Sequence, residues 1–238
     1  EKTVSYGGGT KNGPKEIIKA SHQVELYDEE LKCEPFKKIG IKTLKPIKIK
    51  KDINKAINQI AEINNNILEK KLFPFTLGGE HSITPGCIKP FVKKFKQLTL
   101  LHFDAHADLR ESYAGEKFSH ASAIKRCIDF KNVSVVSFGI RNISAEEIPI
   151  LNKNKKRINI YWAKDKKKWD LKKFKKLIKN KNVYITFDVD GLDSSIMPAT
   201  GTPEPGGIFW EEALDIIKIA CKNSKVVGAD VNELAPIK

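Results

Sequence analysis

The sequence predicts an α/β protein whose parallel sheet is covered by helices on both faces. Three observations carry this. Short, almost wholly apolar runs recur along the chain, stretches with helical spacing separate them, and acidic residues gather just beyond the C-terminal ends of the runs. A strand that is apolar on both faces must be buried on both, which is the state of an inner strand in a parallel sheet.

Residues 53–68 place Ile53, Ala56, Ile57, Ile60, Ile63 and Ile67 at spacings of three and four, one apolar face of a helix. Leu72–Leu77 reads as a short buried strand, although Pro74 cannot donate to a ladder. Residues 98–103 (LTLLHF) and 133–138 (VSVVSF) read as the next strands, and 157–161, 183–189 (VYITFDV) and 225–231 (KVVGADV) complete the series. Helical patterns fill the gaps at 82–95, 119–129, 145–153, 170–179 and 210–222. No internal repeat or low-complexity linker interrupts them, so residues 1–238 are expected to form one domain around one core.

Composition narrows the function. No apolar run approaches the roughly 20 residues that span a bilayer, so no membrane partner is expected. Cys33, Cys87, Cys127 and Cys221 are scattered without a CxxC pair. That argues against a thiolate zinc site and a disulfide framework, and suggests core residues in a reducing cytoplasm. The net charge of +14 comes almost entirely from Lys, with Arg only at 110, 126, 141 and 157. The lysine runs at 45–51, 153–156 and 164–176 hold few aromatics and no groove-reading motif, so they read as a solvated surface rather than a nucleic-acid interface. The chain opens at Glu1 rather than Met and stops at Lys238, so its ends are expected to be incomplete.

The chemistry-bearing residues fall where parallel sheets place function, at the carboxyl ends of strands. The run 98–103 leads into Asp104-Ala-His106-Ala-Asp108, and 183–187 leads into Asp188-Val-Asp190. A Gly-Gly turn after Leu77 carries Glu80-His81, and the last strand ends at Asp230 with Glu233 just beyond. In an extended segment, residues two apart face the same side, so Asp104, His106 and Asp108 would converge. Such carboxylates repel one another unless a cation lies between them. Four Asp and two neutral His carry a charge of −4, matched by two divalent cations rather than one. Oxygen and nitrogen donors without thiolate favour Mn²⁺ over structural zinc, with Fe²⁺, Co²⁺, Ni²⁺ and catalytic Zn²⁺ as alternatives.

GGEHS (78–82), DAHAD (104–108), SHAS (119–122), DVDGLD (188–193) and GTPEPGG (201–207) together resemble the arginase–agmatinase ureohydrolase family, in the family's order, across roughly residues 13–236. The resemblance implies a three-layer α/β/α sandwich with a mainly parallel eight-stranded sheet. It implies His81, Asp104, Asp108 and Asp188 as ligands of one metal, and Asp104, His106, Asp188 and Asp190 as ligands of the other, with Asp104 and Asp188 bridging. Asp108 also counts among the catalytic residues on this resemblance, and a homo-oligomer, trimer or hexamer, is implied.

The activity implied is metal-assisted release of urea from a guanidino compound. A water between two cations is acidified towards neutrality. Glu233, in VNELAP, would pair with the guanidinium nitrogens, and His120, in SHAS, would shuttle the proton to the departing amine. Residues 109–119 (LRESYAGEKFS) resemble the agmatinase pattern, with Arg110 and Glu116 where arginases carry Asn and Ser. Agmatine, giving putrescine and urea, is therefore the expected substrate, its ammonium received by Glu111 or Glu116. Arginine, guanidinobutyrate, aminopropylagmatine, guanidine and formiminoglutamate are the alternatives, and a catalytically dead polyamine- or metal-binding module is the non-enzyme one. Residues 5–14 (YGGGTKNGP and its flanking Ser) depart from the longer loop usual in agmatinases. Asp230 would support the site or touch substrate, Ser82 would support a ligand, Trp210 would pack at a core or rim, and Arg141 would be structural or at a subunit contact.

Overall fold

The computed structural model describes residues 1–236; residues 237–238, the end of the expected domain range, lie outside the described residues. The helices are α1 (Gly13–Ala20), α2 (Pro35–Ile39), α3 (Ile53–Glu69), α4 (Thr84–Lys94), α5 (Ala123–Ile128), α6 (Ile148–Lys153), α7 (Leu171–Ile178) and α8 (Trp210–Asn223). The strands are β1 (Phe75–Leu77), β2 (Leu98–Phe103), β3 (Val133–Phe138), β4 (Ile158–Tyr161), β5 (Asn182–Asp188) and β6 (Lys225–Asn232). Asp52 caps α3 by accepting from the Lys55 N–H. Ala56, Ile57 and Ile60 of the face read from spacing are buried, joined by Ala61, Asn64 and Leu68, while Ile53, Ile63 and Ile67 are half-buried. In α7 only Phe174 and Ile178 are buried, while the lysines between them face solvent.

The described residues form one six-stranded sheet, all parallel, in the order β1-β6-β5-β2-β3-β4. This corrects the expectation of eight strands. Residues 41–50 run without joining the sheet; Pro46 lacks a donor there, and the segment hydrogen-bonds to Gln59 instead of to a strand. Strand β1 is also shorter than read, because Pro74 can only accept: its carbonyl takes the Ala229 N–H and the ladder begins at Phe75. Helices α1 and α2 and a 3₁₀ stretch at Ala163–Lys168 were not read from the sequence.

The period of two sorts each strand between two cores. Leu98, Leu100, Val133, Val135 and Tyr184 pack under α3, α4 and α5, while Leu101, Phe103, Val136, Phe138 and Val183 pack under α7 and α8. Strand order changes direction around the central pair: β3 and β4 lie on one side of β2, β5 and β6 on the other. Such a switch splays the loops apart beyond the carboxyl ends of β2 and β5, leaving a crevice there.

Candidate metal centre

Segment Asp104–Asp108 leaves β2 at this crevice. The Asp104 N–H still bonds to the Phe138 carbonyl at 3.2 Å, and His106 forms an isolated parallel bridge with Asn142. Asp108 then turns back with φ 52°. The alternation expected of an extended segment therefore stops at Asp108. Its carboxylate still points to the same place because the Leu109 N–H bonds to Glu147 Oε1 (2.7 Å) and the Asp108 carbonyl accepts from the Lys125 N–H (2.9 Å). Beyond β5, Asp188 Oδ1 accepts from the Asp190 N–H at 2.9 Å, opening a 3₁₀ turn at Val189–Gly191. Gly191 is required there, since a Cβ would lie 2.6 Å from the Asp104 nitrogen. His81 opens another 3₁₀ turn, His81–Ile83.

These three segments bring all six expected ligand side chains together. His81 Nδ1 lies 3.0 Å from Asp104 Oδ2, 3.1 Å from Asp108 Oδ2 and 3.5 Å from Asp188 Oδ2. Despite these distances, this buried nitrogen has no hydrogen-bond partner of acceptable geometry. On the far side of the ring, Nε2 lies 2.8 Å from the Thr186 hydroxyl, which donates to Asp230 Oδ1 at 2.7 Å. In the neutral ring that chain places the proton on Nε2 and leaves the Nδ1 lone pair facing three carboxylate oxygens. His106 Nδ1 lies 3.1 Å from Asp190 Oδ2 and 3.5 Å from Asp104 Oδ1. Asp104 thus turns one oxygen towards each histidine.

The electrostatics call for added positive charge. Burial pushes the Asp188 carboxyl well above its usual range, helped by the charges of Asp190 and Asp104. Burial likewise raises Asp108 to about 7 and Glu233 to about 8. Burial pulls His81 down, but Asp104 and Asp108 outweigh it and raise it well above an ordinary imidazole. Side chains that would otherwise hold protons would lose them to solvent on binding divalent cations, so the donor set fits a pair of such ions.

Beneath the six lies a row of polar side chains, of which the sequence reading picked out only Asp230. Thr76, Asp230, Thr186, His102 and Ser137 sit in register on five adjacent strands. His102 Nε2 lies 2.8 Å from Asp104 Oδ2 and its Nδ1 lies 3.0 Å from the Ser137 hydroxyl. His102, His81 and Asp104 also offer donor atoms within 4.8 Å of one another. With both its nitrogens committed, His102 steadies Asp104 rather than offering a free ligand atom. Asp230 stands behind His81, away from the crevice. The available signal was a lone polar residue near the end of each apolar run: His102 in LTLLHF, Ser137 in VSVVSF and Thr186 in VYITF.

Glu233 and His120 line the same cavity, of about 200 Å³, with Asp108, Asp188, Asp190 and His106. Glu233 adopts φ 65° and its Oε1 accepts the His81 N–H at 2.6 Å. His120 opens a 3₁₀ turn whose first turn is capped by Ser119, and its ring meets Tyr113 edge-on at 5.7 Å. Burial lowers its pKa. Glu111 and Glu116 are not among the lining residues. Glu111 pairs with Arg126 and Lys125, and Glu116 accepts the Phe118 N–H across a tight turn. Ser82 donates to Glu80 instead of to a ligand, and Trp210 is exposed. Arg141 is structural: its guanidinium donates to the carbonyls of Gly139, Asp190, Leu192 and Glu204. Of the cysteines, Cys87 and Cys127 are buried as expected, while Cys221 is exposed.

Comparison with known proteins agrees with this architecture. The sequence model of the Arginase family matches residues 1–238. The chain is 37% identical to an agmatinase of Bacillus anthracis, over 99% of this chain and 80% of that protein. It is 32% identical to an N(1)-aminopropylagmatine ureohydrolase of Synechocystis sp., over 100% of this chain and 79% of that protein. The crystal structure of the agmatine ureohydrolase of Thermoplasma volcanium superposes with a TM-score of 0.88 at 30% identity, covering 99% of this chain and 79% of that one. With the match running from end to end and such relatives above 30% identity, this chain belongs to the arginase family.

Proposed function

We propose that this protein is a binuclear-metal hydrolase that releases urea from a guanidino compound, with agmatine as the preferred substrate and putrescine as the amine product. The carrying observation is Asp104, whose two oxygens face two histidine-anchored donor sets. His81, Asp104, Asp108 and Asp188 would hold one cation, and Asp104, His106, Asp188 and Asp190 the other. Mn²⁺ is proposed for both, since the donors are carboxylate oxygen and imidazole nitrogen. When bound, such a pair supplies Lewis acidity and a water acidified towards neutral pH.

The chain's own residues account for the rest. Glu233 has one oxygen tied to the His81 N–H, which orients the carboxylate at the cavity wall to pair with the planar guanidinium. His120 lines the same cavity, and its lowered pKa favours a neutral imidazole that can take a proton and pass it to the leaving amine. Val4, Ser5, Tyr6 and Gly7 line the same cavity.

Charge favours agmatine over substrates bearing a carboxylate. Once the four aspartates are set against two divalent cations, Glu80, Glu147 and Glu233 remain on the cavity lining against one basic side chain, Arg110. Arg110 is itself paired with Glu146. A dication is better matched to that lining than a zwitterion or an anion. The relatives named agmatinase support the same choice. The reading includes a single domain, a homo-oligomer, trimer or hexamer, and a cytoplasmic setting; no helix among the described residues is long and apolar enough to cross a membrane.

The test is urea release with added Mn²⁺ on agmatine, arginine, guanidinobutyrate, guanidine and aminopropylagmatine side by side, with formamide release from formiminoglutamate as a control. Agmatine should be turned over fastest. Faster turnover of arginine or guanidinobutyrate would show that the acidic excess at the cavity does not set the choice.

A further inference from the structure

The amino-terminal residues reach into the site at one point that the mechanism above does not use. Thr3 lies between Glu80 and His120. Its hydroxyl is 2.6 Å from Glu80 Oε2, and its own N–H donates to both Glu80 oxygens at 2.8 and 3.1 Å. The same hydroxyl oxygen accepts the His120 backbone N–H at 3.1 Å and lies 3.3 Å from His120 Nδ1. Glu80 also receives the Lys2 N–H and the Ser82 hydroxyl.

A hydroxyl carries one proton and two lone pairs. Every partner of Glu80 is an N–H or O–H group, so the carboxylate serves only as an acceptor. The Thr3 proton therefore belongs in the short contact to Glu80, where a charged acceptor makes the stronger hydrogen bond. Both lone pairs of Oγ1 are then turned to His120, one to its backbone N–H and one to its ring. An oxygen that offers only a lone pair requires a proton on the nitrogen opposite, so Nδ1 is protonated and Nε2 is bare in the neutral ring.

We propose that Thr3, braced by Glu80, is a positioning residue that holds His120 as its Nδ1–H tautomer and so makes Nε2 the nitrogen that exchanges protons with substrate. The role in turnover rests on His120 being the proton shuttle; the tautomer itself does not. Removing the hydroxyl lets the ring redistribute its proton between the two nitrogens and rotate away from its productive orientation. Turnover would fall while substrate binding stayed, because Thr3 does not touch the guanidinium partner Glu233.

The experiment uses the full chain with ¹⁵N-labelled histidine and diamagnetic Zn²⁺ in the site, repeated after chelation. Two-bond ¹H–¹⁵N correlations identify which ring nitrogen lacks a proton, and His120→Gln assigns the signal. In the native chain and in Thr3→Ser, the unprotonated nitrogen should couple to both Hδ2 and Hε1, marking it as Nε2. In Thr3→Val the two nitrogens should average or exchange roles. With Mn²⁺, Thr3→Val should lose about tenfold or more in kcat, part of the roughly 10²–10⁴-fold that a general acid–base group contributes, with KM nearly unchanged and Thr3→Ser restoring most of the rate. A native His120 protonated at Nε2 would overturn the proposal whether or not any variant folds. So would Thr3→Val with native tautomer and native kcat. If His120→Ala leaves kcat intact while the native tautomer is Nδ1–H, the shuttle role fails and the tautomer assignment stands.

Discussion

His81 Nε2 sits 2.8 Å from the Thr186 hydroxyl, on the opposite side of the ring from the nitrogen that faces Asp104, Asp108 and Asp188. Thr186 passes its own proton to Asp230 Oδ1, which also receives the Asn232 amide at 2.6 Å. The ring is thereby fixed in orientation and tautomer from behind. Thr186→Val should weaken divalent-cation binding about 10- to 100-fold, the usual cost of losing such a support. Thr186→Ser should bind nearly as the native chain does. Calorimetric titration with Mn²⁺ decides this, and equal affinity for Thr186→Val would count against the orienting role.

His120→Ala should lower kcat by about 100-fold or more while metal content, measured by elemental analysis, stays at the native level. Loss of metal in this variant would make His120 a ligand instead of a proton carrier.

Removing the cations should make stability fall as pH rises. Without them, folded Asp108 and Glu233 keep their protons up to about 7 and about 8, and Asp188 is raised too. The unfolded chain loses the same protons near the ordinary carboxylate value of about 4. Between these limits the folded state binds more protons than the unfolded, so its stability declines with pH. His106, raised to about 11, extends the decline beyond the carboxylate range. A chelator should therefore lower Tm by about 5 °C or more at pH ~8 and much less at pH ~5. A larger loss at the acid end, followed by calorimetry, would contradict this.

Arg141 ties the strand end at Gly139 to the loop carrying Asp190 and to the Glu204 carbonyl. No ammonium reproduces that planar set of donors. Arg141→Lys should cost on the order of 2–4 kcal/mol in urea denaturation, from several buried carbonyls left without donors. It should also weaken cation binding through Asp190. A variant within about 0.5 kcal/mol of native would place Arg141 among ordinary surface substitutions.

Much of this protein is legible without coordinates. Apolar runs such as LTLLHF and VSVVSF read as inner strands, and the Asp and His residues at their ends read as ligands of cations. The six strands and the six ligand-type side chains were read from those patterns. The two further strands expected from family resemblance are not formed among the described residues. What only the tertiary structure decided is which side chains share a pocket. Glu111 reads like Glu233 in sequence, yet one turns to Arg126 and the other to the His81 N–H. The polar row from Thr76 to Ser137 exists only because five strands align in register, and Thr3 meets His120 only because the amino-terminal segment folds back across 117 positions. Local periodicity reports which face a residue takes; long-range pairing, set by the packing of the whole sheet, determines its neighbours.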